Sequence, residues 1–192
     1  CMIDQHSERR RIRQLRRDLS PRQQHALSRL MFMRLMRFTA FRQSRNIATY
    51  APMGREIDPL PHTHFPGARY KRFFYPVIDR MGHKMFFVPD TPQKRRNRYG
   101  IKEPTFRPGS QRFARQLDLV LLPLVAFDRQ GHRIGAGGGY YDHCFRHHNR
   151  LRQRPLLVGI AYDFQELPAI VPNPWDVKLD AVITESRTLR FR

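Results

Sequence analysis

Three short runs of almost wholly apolar residues constrain the fold of this chain more than any other feature. They occupy residues 117–122, 156–161 and 181–183. None of them shows the regular alternation of polar and apolar side chains that marks a strand with one wet face, so each predicts a strand covered on both faces. Strands of that kind belong to a parallel sheet packed between layers of helices.

Helical patterns before and between these runs complete the prediction. Ser20-Pro21 is typical of a helix start, because the serine hydroxyl accepts a bond from a free backbone N–H and proline suits the first turn. Apolar residues then recur at helical spacing from Leu27 to Phe38. Shorter helices are predicted over residues 7–18 and 139–149. We therefore expect an α/β fold, layered helix-sheet-helix, with a mainly parallel sheet and N-terminal helices.

The remaining segments consist of short apolar runs broken by turn residues. Strands are predicted over residues 46–50, 69–77 and 84–88, with a turn at residues 81–83. Residues 89–110 are polar and rich in proline and arginine, which favours a long mobile loop. No internal repeat or clear domain boundary interrupts the pattern, so residues 1–192 are expected to form a single domain.

The charge balance restricts the classes of partner. The 192 residues include 36 Lys and Arg against 16 Asp and Glu, a formal net charge of +20. This surplus makes a basic, non-enzymatic RNA- or DNA-binding protein the alternative to an enzyme. The basic positions are scattered along the chain, however, and neither zinc-finger spacing nor an RNP-like aromatic box occurs. Specific nucleic-acid binding is therefore not expected.

Two further features bear on the compartment. No apolar run approaches the roughly 18 residues that a membrane-spanning helix needs, so no membrane association is expected. The chain has 2 cysteines, too few for a disulfide framework, which fits a reducing environment. The sequence accordingly favours a cytoplasmic protein.

One segment differs from the rest of the chain. Residues 123–142, PLVAFDRQGHRIGAGGGYYD, leave the end of a predicted buried strand and enter a predicted helix. Four glycines within residues 135–139 allow left-handed backbone angles, so several N–H groups can turn toward one point. Such a nest binds anions, and Arg133 adds a guanidinium that can grip a phosphate with two bonds. A flexible glycine hinge without a ligand remains the alternative interpretation.

An acidic residue adjoins this glycine segment. Asp142 lies one turn into the predicted helix, where a carboxylate is favourable as a cap in any case. Beside a phosphate site it can instead hold Mg²⁺, which needs few protein ligands plus phosphate oxygens. The segment is not a Walker A loop, because no Gly-Lys-Ser/Thr follows, and it lacks the Gly-x-Gly-x-x-Gly dinucleotide pattern.

The segment from residue 119 to residue 142 resembles the signature of the 5-formyltetrahydrofolate cyclo-ligases, also called methenyltetrahydrofolate synthetases. Three further pieces of this family occur in the same order, so that the resemblance covers residues 6–187. They are Arg55-Glu56-Ile57-Asp58, Gly100-Ile101-Lys102-Glu103-Pro104 and Pro174-Trp175-Asp176-Val177-Lys178-Leu179-Asp180. The resemblance implies an ATP- and Mg²⁺-dependent conversion of 5-formyltetrahydrofolate to 5,10-methenyltetrahydrofolate, with release of ADP and phosphate through a phosphorylated formyl group.

The resemblance also implies roles for individual residues. Those of the ATP-binding loop are Arg133, Ile134, Gly135, Ala136, Gly137, Gly138, Gly139, Tyr140 and Tyr141. Those of the substrate site are Ala51, Met53 and Glu56, together with Tyr140 and Tyr141. Those associated with Mg²⁺ are Asp142 and Asp176. No covalent enzyme nucleophile is needed for such a reaction.

The N-terminal nucleotide contacts are a departure from the family pattern. The family has a lysine there, followed four residues later by an arginine. Counting back from Ser20 gives His6 and Arg10, and a shift of one residue gives Arg9 instead of Arg10. Because folates carry carboxylates, often in a glutamate tail, part of the basic surplus is expected to steer this substrate. The candidates for steering are Lys71, Arg72, Arg95, Arg96 and Arg98.

Overall fold

A seven-stranded sheet lies at the centre of the computed structural model, which describes residues 4–62, 64–79, 84–97, 100, 102–150 and 153–191. Its strands are β1 (Asn46–Ala48), β2 (Arg72–Ile78), β3 (Met85–Pro89), β6 (Leu119–Pro123), β9 (Leu156–Ile160), β10 (Ala181–Ile183) and β11 (Thr188–Arg190). They are ordered β11-β10-β9-β6-β1-β2-β3. The five inner strands are parallel, and only β3 and β11 at the two edges are antiparallel to their neighbours. The predicted mainly parallel sheet is confirmed.

Two hydrophobic clusters cover the two faces of this sheet. Leu119 and Leu121 of β6 pack in one cluster with side chains of the N-terminal helices. Val120 and Leu122 point to the other face and pack in a second cluster with Phe87 and other buried residues. Because successive strand residues point to opposite faces, a strand between two apolar layers must be apolar throughout. This is why residues 119–122 form a continuous apolar run.

Four α-helices flank the sheet in the described part of the chain. They are α1 (Gln5–Asp18), α2 (Pro21–Arg37), α3 (Thr39–Gln43) and α4 (Tyr140–Phe145). The predicted start at Ser20-Pro21 is confirmed, since Ser20 and Gln23 form a reciprocal capping box. Within the described ranges, none of these helices combines the length and the apolar character needed to cross a bilayer.

The helix predicted over residues 139–149 is shorter than expected. α4 ends at Phe145, and a separate 3₁₀ turn follows over His148–Arg150. The buried His148 ring in this turn lies against Phe145, edge to face, with ring centroids 5.8 Å apart.

The segment over residues 89–110, predicted as a long mobile loop, contains short strands that the sequence did not indicate. Two short strands, β4 (Lys94–Arg96) and β5 (Lys102–Pro104), pair antiparallel within it. The strand predicted from residue 69 begins only at Arg72, after a 3₁₀ turn over Ala68–Tyr70. The turn predicted at residues 81–83 and the candidate Arg98 lie outside the described residues.

Lys71, one of the candidates for substrate steering, has a structural role in the fold. Its ammonium group donates to the backbone carbonyls of Phe41, Arg42 and Ser44 at 2.6, 3.1 and 2.8 Å. These carbonyls lie at the carboxyl end of α3, where a cation is favourable. Lys71 therefore caps a helix, and its part in steering stays a prediction.

A two-stranded ribbon carries the chain from the sheet toward the glycine segment. Its strands are β7 (Ala126–Phe127) and β8 (Arg133–Ile134), which pair antiparallel just beyond the end of β6. The buried Asp128 carboxylate holds the turn between them by accepting bonds from the backbone N–H groups of Gln130 and His132 and from the His132 ring. The glycine segment thus leaves from a rigid support at the carboxyl ends of the parallel strands, where ligands bind in open α/β sheets.

Candidate active site

The glycine loop, residues 135–139, connects β8 to α4. Gly137 has φ 117° and Gly139 has φ 63°, so the predicted left-handed angles are present at two of its positions. Gly138 has ordinary angles but no room for a side chain, because a Cβ atom there would lie 2.7 Å from the Tyr140 ring. The backbone conformation therefore favours glycine at residues 137 and 139, and the position of the Tyr140 ring favours it at residue 138.

A polar cavity of about 680 Å³ adjoins the glycine loop. Its cationic walls come from four separate parts of the chain: Arg9, Lys84, Arg133 and Arg146. The carboxylates of Asp142 and Asp176 and the exposed Trp175 also line it. A cavity with four cations, two carboxylates and a glycine loop is suited to a polyphosphate and its counter-ion.

A second cavity, of about 410 Å³, meets the first at the same loop and is mainly apolar. The predicted substrate residues Ala51, Met53 and Glu56 line it together with Tyr140 and Tyr141. Its apolar wall continues through Tyr50, Pro76, Ile78, Met85, Leu124 and Val125. Six residues line both cavities: Arg133, Gly135, Gly138, Gly139, Tyr140 and Asp142. The glycine loop thus forms a common wall of the two cavities, one suited to phosphate groups and the other to a flat apolar ring.

Arg133 and Asp142 form a tight ion pair in that wall. The Nη2 atom of Arg133 lies 2.6 Å from Oδ1 of Asp142, and the Arg133 side chain is only 4% exposed. The same Oδ1 accepts a bond from the Val177 amide at 3.0 Å. The buried Nε of Arg133 has no hydrogen-bond partner among the described residues. The ion pair therefore fixes the Arg133 guanidinium in the wall that the two cavities share.

The two carboxylates predicted to hold Mg²⁺ line one cavity, and the hydrogen bonds found among the described residues occupy one oxygen of each. Oδ2 of Asp176 accepts bonds from the backbone and side-chain N–H groups of Asn173, while Oδ1 of Asp142 is held as described above. Within the part of the chain that the structure describes, no group of three or more His, Cys, Asp or Glu side chains could hold a metal ion. This donor set fits a cation that takes its other ligands from phosphate and water, as Mg²⁺ does.

Helix α1 holds the glycine loop from outside. Arg9 Nε donates to the Gly135 carbonyl at 2.9 Å, and Arg13 Nη2 donates to the Ala136 carbonyl at 3.0 Å. His6 and Arg10, by contrast, are exposed and line neither cavity. Each residue turns a helix by about 100°, so a shift of one position moves a side chain off the face that meets the loop. Of the two registers that the resemblance allows, the structure places the one with Arg9 at the site.

The turn over residues 53–56 brings Glu56 to the apolar cavity. Gly54 and Arg55 both have positive φ angles, of 50° and 63°. The Arg55 carbonyl is held by the Tyr162 hydroxyl at 3.1 Å, and Glu56 Oε2 accepts a bond from the Met53 amide at 3.0 Å. Burial raises the pKa of Glu56 above its usual range, although the Met53 bond and Arg16 oppose this effect. A left-handed angle at a residue other than glycine persists only where neighbours fix it, as they do here.

Sequence reasoning did not find several residues of the site. Those that line the polar cavity are Gln5, Lys84, Arg146 and Trp175, and those that support the site from α1 are Arg13 and Arg16. A signal for α1 was present, since arginines at positions 9, 13 and 16 share one face of a helix. The sequence shows no such spacing around Lys84 and Arg146, because separate parts of the chain bring these two residues to the cavity.

Comparison with known proteins gives a consistent result. The family model for the 5-formyltetrahydrofolate cyclo-ligase family matches residues 2–185. The chain is 33% identical to the 5-formyltetrahydrofolate cyclo-ligase of Haemophilus influenzae, over 88% of this chain and 90% of that protein. It is 31% identical to the enzyme of the same name from Escherichia coli K12, over 92% and 97% of the two chains.

Solved structures agree with these sequence matches. The NMR structure of the Aquifex aeolicus 5,10-methenyltetrahydrofolate synthetase superposes with a TM-score of 0.81 at 28% identity, covering 98% of this chain and 93% of the other. A 5,10-methenyltetrahydrofolate synthetase from Mycoplasma pneumoniae gives a TM-score of 0.75 at 26% identity, over 96% and 100% of the two chains. The fold, the full-length matches and the motifs around the glycine loop lead to one conclusion: this chain belongs to the 5-formyltetrahydrofolate cyclo-ligase family.

Proposed function

We propose that this protein converts 5-formyltetrahydrofolate to 5,10-methenyltetrahydrofolate, using ATP and Mg²⁺ and releasing ADP and phosphate. The activity is carried by residues 1–192 as one domain. One observation supports the proposal above all others: a cationic cavity suited to a triphosphate and an apolar cavity suited to a pterin meet at the glycine loop. Phosphoryl transfer between two substrates requires such an arrangement, because donor and acceptor must meet in line.

The chemistry explains why a phosphate donor is needed. The formyl oxygen on N5 of the folate is a poor leaving group, so it first attacks the γ-phosphorus of ATP and ADP departs. Nitrogen N10 of the same folate then attacks the formyl carbon and loses its proton, and the oxygen leaves as phosphate. Both steps are intramolecular or between bound substrates, so the protein has mainly to position them and to neutralise charge.

The residues of the chain supply these two requirements. Arg9, Lys84, Arg133 and Arg146 surround the polar cavity and offset the charge of the phosphates. Tyr140 and Tyr141 of α4 offer aromatic faces to the pterin, and Glu56 accepts bonds from its N–H groups. Desolvation raises the pKa of the Tyr141 phenol, with a smaller contribution from Glu56, so Tyr141 is neutral at physiological pH.

Asp142 and Asp176 would hold Mg²⁺ together with phosphate oxygens. When bound, this ion would neutralise charge that develops on the transferred phosphoryl group. Asp142 has a second task that the structure shows directly, because its Oδ1 fixes the Arg133 guanidinium in the wall of the loop. The carboxylate therefore positions a cation of the protein as well.

An absorbance assay tests the proposal. Purified protein is mixed with 5-formyltetrahydrofolate, ATP and Mg²⁺, and the near-ultraviolet band of the methenyl product is followed. We expect the band to rise only when all three are present, with one ADP released for each product. A flat trace from folded protein, together with binding of random oligonucleotides at physiological salt, would instead favour a nucleic-acid-binding protein.

Arg9→Met is expected to raise KM for ATP more than Arg10→Met does, because only Arg9 lines the polar cavity and holds the Gly135 carbonyl. Loss of a charge-assisted hydrogen bond of this kind corresponds to roughly a tenfold change or more. The two variants remove the same charge from adjacent positions of α1, so each serves as the control for the other. Equal effects, or a larger effect at Arg10, would contradict the assignment.

Gly138→Ala is expected to raise KM for both substrates by several-fold, because the added methyl group would force the Tyr140 ring to move, and that ring lines both cavities. Gly138 is exposed and has ordinary backbone angles, so the midpoint of thermal unfolding should change little. Steady-state kinetics with each substrate varied in turn measures the effect. An increase confined to one substrate would show that Tyr140 serves only one cavity.

A further inference from the structure

Arg16 is a buried arginine that no step of the proposed reaction uses. Its side chain is 6% exposed, and its Nη1 atom lies 3.3 Å from Oε1 of Glu56. Its Nε atom is buried and has no hydrogen-bond partner among the described residues. A charge in such a place is unfavourable unless its partner compensates for the lost water. The Glu56 carboxylate is that partner.

Arg16 belongs to a row of arginines on one face of α1. Arg9 and Arg13, two turns and one turn earlier, donate to the carbonyls of the glycine loop, and Arg16 reaches the turn that carries Glu56. Ile12, which is fully buried, anchors the helix between these contacts. One helix thus fixes a wall of the polar cavity and an acidic group of the apolar cavity.

The chemical state of Glu56 depends on these neighbours. Its burial favours the neutral acid, whereas the Met53 amide and the Arg16 and Arg13 guanidinium groups favour the carboxylate. The other titratable groups that face it are the phenols of Tyr50, Tyr141 and Tyr162. A carboxylate only accepts hydrogen bonds, whereas a protonated acid would present a donor to the N–H groups of a pterin.

We propose that Arg16 is a positioning residue for the folate half of the site: it pairs with Glu56 Oε1 at 3.3 Å and so directs the Glu56 carboxylate, without itself touching a ligand. Arg16 does not line the apolar cavity, whereas Glu56 does. The inference rests on the proposed function, since it assigns a task within that reaction. The proposed role is restricted to folate binding, so loss of Arg16 should not affect nucleotide binding.

The test compares Arg16→Met with Arg16→Lys and with Arg17→Met. Arg17 is adjacent on α1, is exposed, and its Nη2 donates to Gln14 within the same helix, so its replacement removes the same charge without touching Glu56. For each variant we would measure KM for both substrates, thermal unfolding, and the pH dependence of kcat/KM for 5-formyltetrahydrofolate.

Arg16→Met is expected to raise KM for the folate by about tenfold or more, with KM for ATP within twofold of wild type. The acid limb of its pH profile should move to higher pH, because Glu56 without its cation protonates more readily. Arg16→Lys should restore part of both effects, since an ammonium group can still pair with one carboxylate oxygen. Arg17→Met should match wild type.

Two results would overturn this role. One is an unchanged folate KM and pH profile in Arg16→Met, and the other is an equal rise in both KM values, which a merely structural role predicts. If Arg16→Met fails to fold, the test depends on Arg16→Lys. A selective rise in its folate KM with a shifted acid limb would support the role, and the absence of both would contradict it. An inactive wild-type protein would contradict the proposed function itself. An active wild type, with Arg16 variants whose folate KM and pH profile are unchanged, would contradict only the role of Arg16.

Discussion

Asp142→Asn is expected to lower kcat by about 100-fold or more while leaving the fold intact. The amide has the same size, and its Oδ1 can still accept the Val177 N–H and one bond from Arg133. What it loses is the negative charge that would hold Mg²⁺ and that pairs with the buried guanidinium. The readouts are the rate of methenyl formation across a Mg²⁺ titration and the midpoint of thermal unfolding.

Asp90→Asn is the matched control for this variant. Asp90 is exposed and pairs with Lys94 away from either cavity, so the same change of chemistry there should leave the rate unaltered. A wild-type rate in Asp142→Asn would show that the carboxylate only caps α4. A loss of activity that accompanies unfolding would show that its ion pair with Arg133 is mainly structural.

Arg154→Met is expected to lower the free energy of unfolding by about 3–5 kcal/mol, because it leaves a buried carboxylate without its cation. Arg154 donates to both oxygens of Asp180 at 3.1 Å, and Asp180 also accepts the Leu157 amide at 2.9 Å. This cluster joins the start of β9 to the start of β10, and the Asp180 side chain is only 5% exposed. Denaturant unfolding at neutral pH measures the loss, and Arg115→Met, at an exposed position, is the control.

The same cluster is expected to make the stability of the protein depend on pH in the acid range. Burial by itself would raise the pKa of Asp180, but bonds from His148, the Leu157 amide and Arg154 lower it below the usual value. Its contribution to wild-type stability is therefore fully present above the unfolded pKa of about 3.9 and is lost as the pH falls through the lower, folded value. In Arg154→Met the loss should begin at higher pH. An identical acid profile for both proteins would contradict this account.

The parts of the fold that could be predicted from the sequence are those that depend on neighbouring residues. The residues of β6 are apolar throughout because both of its faces are covered, and that can be seen in the sequence. The Ser20 cap likewise needs only its own turn of helix. The pairing of β4 with β5 could not be predicted in this way, since Lys94, Arg95 and Arg96 are all exposed and show no alternation.

The same distinction between local and distant contacts applies to the residues of the site. The glycine loop is one contiguous segment, so the left-handed angles at Gly137 and Gly139 could be predicted from local backbone chemistry. Arg16 and Glu56 are 40 positions apart, and only the packing of α1 against the turn brings them together. The choice between Arg9 and Arg10 depends on which face of a helix meets the loop, and counting along the chain does not fix that face.

The common wall between the two cavities has a consequence for redesign. A substitution in the glycine loop alters the lining of both cavities at once, so one cavity cannot be reshaped there without disturbing the other. One cavity can be altered independently only by substituting residues that line that cavity alone. These include Gln5, Lys84 and Trp175 in the polar cavity and Met53 and Ile78 in the apolar cavity. Under the proposed function, a change of nucleotide or pterin preference should therefore need substitutions at those outer positions, with the shared loop left as it is.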